Sequence, residues 1–142
     1  MRPAIEVRAF EAMVAFAQKV QRAAEDALDG IGISAAQFFI LATVERRPGT
    51  QQSALAEALG VTSANVSQLV AKLEDAKLVT RTERGRAKEV YLTSRGRQLV
   101  DRLRPEHDAF LESRFAALSP GERRTLLSLL EKLLVGDPKK MP

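Results

Sequence analysis

The sequence predicts a mainly α-helical fold carrying one small β-hairpin. Three observations predict it. Leu and Ala dominate a composition with 5% aromatic residues and no Trp, a helix-forming mixture. Successive segments place apolar residues at i, i+3, i+4 spacing. Late in the series, two short β-branched runs flank Arg84-Gly85-Arg86, a basic turn.

Residues 4–28 read as one long helix, with Phe10, Met13, Val14, Ala17, Val20, Ala24, Ala27 and Leu28 on a stripe that Ile5 and Phe16 widen. Asp29-Gly30 ends it. Such a wide apolar stripe on a terminal helix needs a cover, from its own domain or from a second chain. Ser34 and Gln37 form a capping box for a second helix, which buries Phe38, Ile40, Leu41 and Val44 and stops at Arg46-Arg47-Pro48-Gly49. Thr50 is expected to cap a third helix over roughly 51–59. Gly60 then permits a tight turn, and Thr62 caps a fourth helix over about 63–76. Val66, Leu69, Val70 and Leu73 give that helix its inner stripe. Strands are expected at 79–83 and 87–92. Thr93-Ser94 opens a fifth helix that runs to about Phe115, and Pro105 predicts a kink or a break-and-restart near Arg104. Ser119-Pro120-Gly121-Glu122 is a second capping box, and it starts a leucine-rich sixth helix. The tail after Val135 is expected to fray.

Composition excludes several function classes. With no Cys there is no disulfide, thiol nucleophile or thiol sensor. One His without Cys makes a poor metal site, so no metal and no cofactor is expected. No glycine-rich phosphate loop and no nucleophile–base pair is visible, which argues against an enzyme. No apolar run approaches the ~20 residues of a membrane span, and the N-terminus lacks an apolar signal core. A cytoplasmic protein without membrane contact is the expectation.

Charge is uneven. The whole chain carries +4, while residues 81–104 hold eight cations against three acids, a local +5, so the rest sums to −1. A polyanion partner suits such a patch, although a solvated helix face would carry the same charges. The fourth helix differs. Its outer face carries Ala64, Gln68 and Ala71 flanked by Asn65, Ser67 and Lys72, and no long charged side chain occurs from 62 to 71. Two short helices followed by a hairpin make a winged helix-turn-helix, and a small, polar helix start suits entry into the DNA major groove.

Several fragments resemble the MarR family of transcriptional regulators. They are Ser34-Ala35-Ala36-Gln37-Phe38, Leu55-Ala56-Glu57-Ala58-Leu59-Gly60-Val61-Thr62, Val66-Ser67-Gln68-Leu69-Val70, Leu73-Glu74, Leu78-Val79, Leu92-Thr93-Ser94-Arg95-Gly96 and Leu118-Ser119-Pro120-Gly121-Glu122-Arg123. The resemblance runs from about Ile33 to Leu134. It implies a single domain over 1–142, with a winged helix-turn-helix over about 33–95 flanked by N- and C-terminal dimerisation helices at about 4–30 and 96–136. It also implies a homodimer on double-stranded DNA with a palindromic operator, acting most commonly as a repressor. In that family the wing usually carries Asp-x-Arg before its second strand. Here Arg86 takes the Arg position and Arg84 takes the Asp position, so the acidic partner is missing, and Glu83 is the nearest carboxylate in sequence.

The expected DNA-binding residues follow. Gln68 is the best base reader, because a carboxamide pairs with adenine N6 and N7. Asn65 and Ser67 read bases or hold phosphates, Ala64 meets a thymine methyl, and Thr62 and Ser63 stand at the helix start. Gln51, Gln52, Ser53 and Lys72 grip the backbone. Arg84 and Arg86, with Arg81 and Lys88 beside them, serve the minor groove and its phosphates. The resemblance further implies a small aromatic or amphipathic ligand between the dimer helices and the winged helix. Phe16, Phe38, Phe39 and His107 are the candidates to line its site, against the plainer reading that they are core residues. A winged helix used only for protein–protein contact remains the alternative.

Overall fold

The computed structural model describes residues 1–136; the tail expected to fray lies almost wholly outside them. The order is α1 (Ile5–Ala27), α2 (Ala35–Arg46), β1 (Thr50–Gln51), α3 (Gln52–Leu59), α4 (Ser63–Asp75), β2 (Val79–Arg84), β3 (Ala87–Leu92), α5 (Ser94–Arg114) and α6 (Pro120–Val135). Contacts gather into two compact units, one from Met1 to Glu106 and one from His107 onward. This mainly helical chain with a small antiparallel sheet is a winged-helix fold.

The core lies in the first unit. Ile40, Leu41 and Val44 of α2 meet Leu55 and Ala56 of α3, Val66, Val70 and Leu73 of α4, Val79 and Val90 of the sheet, and Val100 of α5. The expected stripe on α4 supplies three of these residues, and Leu69 packs against the cluster from its edge. Ser34 and Gln37 close the capping box of α2 reciprocally. At the end of α3, Gly60 is left-handed (φ 68), and the Val61 amide donates back to the Ala56 carbonyl at 3.1 Å. That tight reversal aims α4 away from α3.

Two expectations need correction. Thr50 does not cap α3. Its Oγ1 donates to the Arg47 carbonyl, and Thr50-Gln51 forms a two-residue strand opposite Val90 and Glu89. The sheet therefore has three strands in the order β1-β3-β2, and α3 starts one residue later at Gln52, without a side-chain cap. Of the two outcomes expected at Pro105, the break-and-restart does not occur, since α5 runs unbroken from Ser94 to Arg114. Proline at that point costs one backbone hydrogen bond, and the turns on either side retain theirs.

The hairpin is rooted on one peptide. The Leu78 carbonyl accepts from the Thr93 amide at 3.1 Å, and Thr93 Oγ1 donates to the Lys77 carbonyl at 2.6 Å while accepting from the Gly96 amide at 3.0 Å. Gly96 is buried there. A Cβ on it would stand 2.0 Å from the Leu78 oxygen. Alanine ordinarily stabilises a helix interior relative to glycine. Here Gly96→Ala is expected to destabilise the chain by about 1–3 kcal/mol through overpacking against backbone, measured by urea unfolding. A stabilised variant would show that α5 and Leu78 do not approach so closely.

The second unit carries the other capping box. Ser119 Oγ accepts from the Glu122 amide, and the Glu122 carboxylate accepts from the Ser119 amide at 2.9 Å. That backbone hydrogen bond, helped by the Ser119 side chain, holds the Glu122 carboxyl below its ordinary 4.5. A carboxyl whose folded pKa is depressed contributes stability above its unfolded pKa and loses it as pH falls through the folded value. Glu122→Gln keeps the box but not the charge. The stability difference between parent and variant is expected to stay constant at neutral pH and to shrink below about pH 4.5. A difference independent of pH down to strong acid would remove the charge from the account.

Candidate nucleic-acid interface

Thr62 sets the start of α4. Its hydroxyl accepts from the Asn65 amide at 3.2 Å, which leaves the other first-turn amides pointing outward. Behind it, Val66, Val70 and Leu73 fix the helix phase by burial. The opposite side is thereby presented. Thr62, Ser63, Ala64, Asn65, Gln68 and Lys72 are all exposed, and Ser67 is half-buried. No carboxylate lies on this surface before Glu74.

The wing follows from the register. Arg84 pairs with Ala87, so only Gly85 and Arg86 form the turn. Gly85 has φ 60 at the first central position, the position that a type II′ hairpin reserves for glycine. Arg84 is thus a strand residue, and Arg86 alone of the two arginines stands at the tip. Arg84, Arg86 and Lys88 are exposed. The acid that meets Arg84 is Glu89, with Nε and Oε1 3.6 Å apart. Glu89 faces Thr82 across the ladder, and Arg84 is its diagonal neighbour on the same side of the sheet. The Tyr91 hydroxyl donates to the same carboxylate oxygen at 3.2 Å. Tyr91 in turn lies against Gly49, where a Cβ would stand 2.8 Å from the phenol oxygen. Among the described residues no ion pair involves Glu83 or Arg86. Glu83, the carboxylate nearest Arg86 in sequence, makes no ion pair with it among the described residues, and the pair that strand register forms joins Glu89 to Arg84 and leaves Arg86 out.

Three of the expected DNA contacts are joined to one another instead. Arg81 Nη1 donates to Gln52 Oε1 at 3.1 Å and to Ser67 Oγ at 3.4 Å, while Nε and Nη2 reach Glu74 Oε1 at 3.3 and 3.1 Å. Gln52 is buried, at 8% exposure, and cannot grip a phosphate from there. Its neighbours Gln51 and Ser53 are exposed.

Of the four candidate ligand residues, Phe39 lines a cavity of the first unit. An open cavity of about 580 Å³ is lined by Gln18, Gln21, Arg22 and Glu25 of α1, Ala35, Ala36 and Phe39 of α2, and Leu59 and Val61 at the end of α3. Phe39 is the only candidate on its wall. Phe38 is buried in the core, Phe16 is exposed on α1, and His107 belongs to the second unit. Among the described residues no helix is long and apolar enough to cross a membrane.

A neutral, exposed helix start beside a cationic hairpin is the DNA-reading arrangement of a winged helix-turn-helix protein. Residues 31–88 match the model of the MarR family. An uncharacterized HTH-type transcriptional regulator of Bacillus cereus is 26% identical over 129 residues, covering 90% of this chain and 88% of that one. The crystal structure of a MarR-family transcriptional regulator from Silicibacter pomeroyi superposes with a TM-score of 0.83 at 26% identity, over 96% of this chain and 97% of that one. S. aureus MepR in its DNA complex gives 0.73 at 26% identity, over 89% and 95%. The winged helix-turn-helix part of the chain, residues 31–88, is thus similar to the MarR family, and the whole chain shares the fold of that family's solved transcriptional regulators.

The wing geometry carries its own test. Glu89→Ala removes the partner of Arg84. Faster motion of the Arg84 side chain is expected in Nε relaxation measurements, with a stability loss below about 1 kcal/mol because the pair is exposed on the arginine side. Unchanged relaxation would mean that Glu89 does not hold Arg84.

Proposed function

We propose that this chain is a homodimeric repressor that holds an inverted repeat through α4 and the wing and is released by a small amphipathic ligand. The observation that carries the DNA part is the exposed, uncharged N-terminal half of α4 flanked by exposed Arg84, Arg86 and Lys88. Side chains that hydrogen-bond without net charge favour base edges, and cations favour phosphates and the narrow minor groove. MepR, similar in fold over most of its length, is seen with DNA, which supports the same partner here.

The dimer reading rests on unburied apolar surface. α1 has no buried residue, and Ile5, Phe10 and Phe16 are 66%, 62% and 41% exposed. α6 likewise has none, with Leu127, Leu133 and Leu134 exposed. Apolar surface on that scale marks an interaction face. A two-fold dimer with half-sites about one helical turn apart matches an inverted repeat. The ligand reading rests on the cavity beside Phe39. It has an apolar wall of Phe39, Leu59 and Val61 and a polar rim of Gln21, Arg22 and Glu25, within the size range of small-molecule sites.

A duplex selected from a random library by the full-length chain tests the assignment. Gln68→Ala is expected to relax one base position at a cost of about 1–3 kcal/mol. Arg86→Ala should weaken selected and random duplexes alike and lower the salt slope by about one. Parent-like selectivity in the Gln68 variant would exclude it as a base reader. A flat dependence of log K on log salt for the parent chain would exclude DNA as the partner.

A further inference from the structure

We infer that Arg81 is a positioning residue that sets α4 against the wing and thereby governs base discrimination, and is not a phosphate contact. The inference rests on the DNA-binding reading above and adds to it the means by which the reading helix is held.

The geometry is that of a clamp. Arg81 sits in the middle of β2, paired with the buried Val90 of β3, on the side of the sheet that faces the helices. Its side chain is only 21% exposed. The guanidinium spends its donors on three residues of two helices. One edge reaches the Glu74 carboxylate near the end of α4, and Nη1 reaches Ser67 one face earlier on α4 and Gln52 at the start of α3. Gln52 is itself buried, so its carboxamide oxygen is fixed in place. Ser67 and Glu74 lie seven residues apart, two turns along the same side of α4. Two such contacts resist rotation of the helix about its axis, whereas the apolar stripe alone tolerates small rolls. Gln68 follows Ser67 directly, so a rotation released at Ser67 displaces Gln68 by a similar angle. A planar, five-donor guanidinium can bridge these acceptors at once, and an ammonium cannot.

The charge arrangement makes the two roles of Arg81 distinguishable. If Arg81 gripped phosphate, Glu74 would compete with DNA for it, and neutralising Glu74 would tighten binding. If Arg81 positions α4, neutralising Glu74 loosens the clamp and weakens selective binding. Glu74→Gln and Arg81→Lys both fold on unchanged apolar cores, and the lysine keeps the charge. Binding of parent and variants to the selected duplex and to a scrambled duplex, by fluorescence anisotropy across a salt series, reads the difference. Both variants are expected to bind the selected duplex about ten-fold more weakly while keeping parental affinity for the scrambled one and the parental salt slope. Combining the two changes should cost little more than Arg81→Lys alone, because that change already breaks the contact with Glu74. A Glu74→Gln chain that binds the selected duplex as well as the parent, or more tightly, overturns the inference. So does an Arg81→Lys chain with undiminished selectivity. A parent that enriches no sequence at all overturns the DNA reading itself and the clamp's role in discrimination with it, a result separate from either variant's behaviour.

Discussion

The Leu78 peptide is the point on which the DNA-reading unit depends. Its amide donates to the Leu73 carbonyl at the end of α4, its carbonyl accepts from Thr93 at the start of α5, and its side chain is buried in the core. α4, the hairpin and α5 thus meet at one residue. The connection into it is tight enough to force Lys77 to φ 63, the only positive φ outside glycine among the described residues. Such a backbone state persists where its neighbours over-determine it. Here the Thr93 hydroxyl holds the Lys77 carbonyl and the Thr93 amide holds the next one. The glycine at 96 is what allows α5 to come so close. A hairpin that leaves and returns to one anchored point has a fixed root and a tip set only by its own ladder, which suits a wing that must follow a groove.

Electrostatics complete the arrangement. Two of the acids around the cationic wing are paired, while Glu83 on β2 makes no ion pair among the described residues. Glu74 is engaged by Arg81 and Glu89 by Arg84. Each pairing removes a negative charge that would repel a polyanion, and each also restrains a long side chain. The cost of exposing apolar α4 residues fixes the helix phase coarsely, and directional contacts from the wing strand refine it. Burial supplies most of the stabilisation and has little angular preference. Hydrogen bonds supply less and are sharply angular.

How much of this was legible in the sequence follows from the same distinction. Helices α2, α4 and α6 announce themselves through capping residues and apolar stripes, because those signals act within a few residues. Both capping boxes form as the sequence implies. β1 was invisible, since a two-residue strand has no periodicity and exists only because β3 offers it partners. Thr50 consequently carries the residue type of a cap in a place where sheet pairing wins. Gln52, Ser67 and Arg81 have the chemistry of DNA contacts, and only the fold reveals that Arg81 reaches the other two by hydrogen bonds. Glu89 was hidden for a related reason. Its link to Arg84 runs diagonally across a ladder, and the register that makes them neighbours depends on a two-residue turn where three residues were expected. Phe38 and Phe39 show the resolution of a helical stripe. One position of phase separates a core residue from a cavity wall.

The proposed dimer bears on stability as well as on DNA spacing. Every buried residue of the described chain lies at or before Leu103, and none occurs from His107 to Gly136. Two helical segments that bury nothing fully draw on local terms and on half-buried side chains such as Phe110, Leu111, Leu126 and Leu130. The local terms include the Ser119–Glu122 capping box, the Arg123 guanidinium donating to the Phe115 and Leu118 carbonyls, and the Arg114 cation over the Phe110 ring at 5.0 Å. Local terms of this kind are each worth about 1 kcal/mol, which does not offset the entropy of ordering some thirty residues at about 1–2 kcal/mol each. On the dimer reading, exposed apolar side chains such as Leu127, Leu133 and Leu134 add to this when a second copy covers them. On the dimer reading, a second copy thus stabilises the C-terminal helices, while the winged helix already holds a core of its own. Assembly then places two preformed DNA-reading units, and the free energy of association resides in helices that never touch a base.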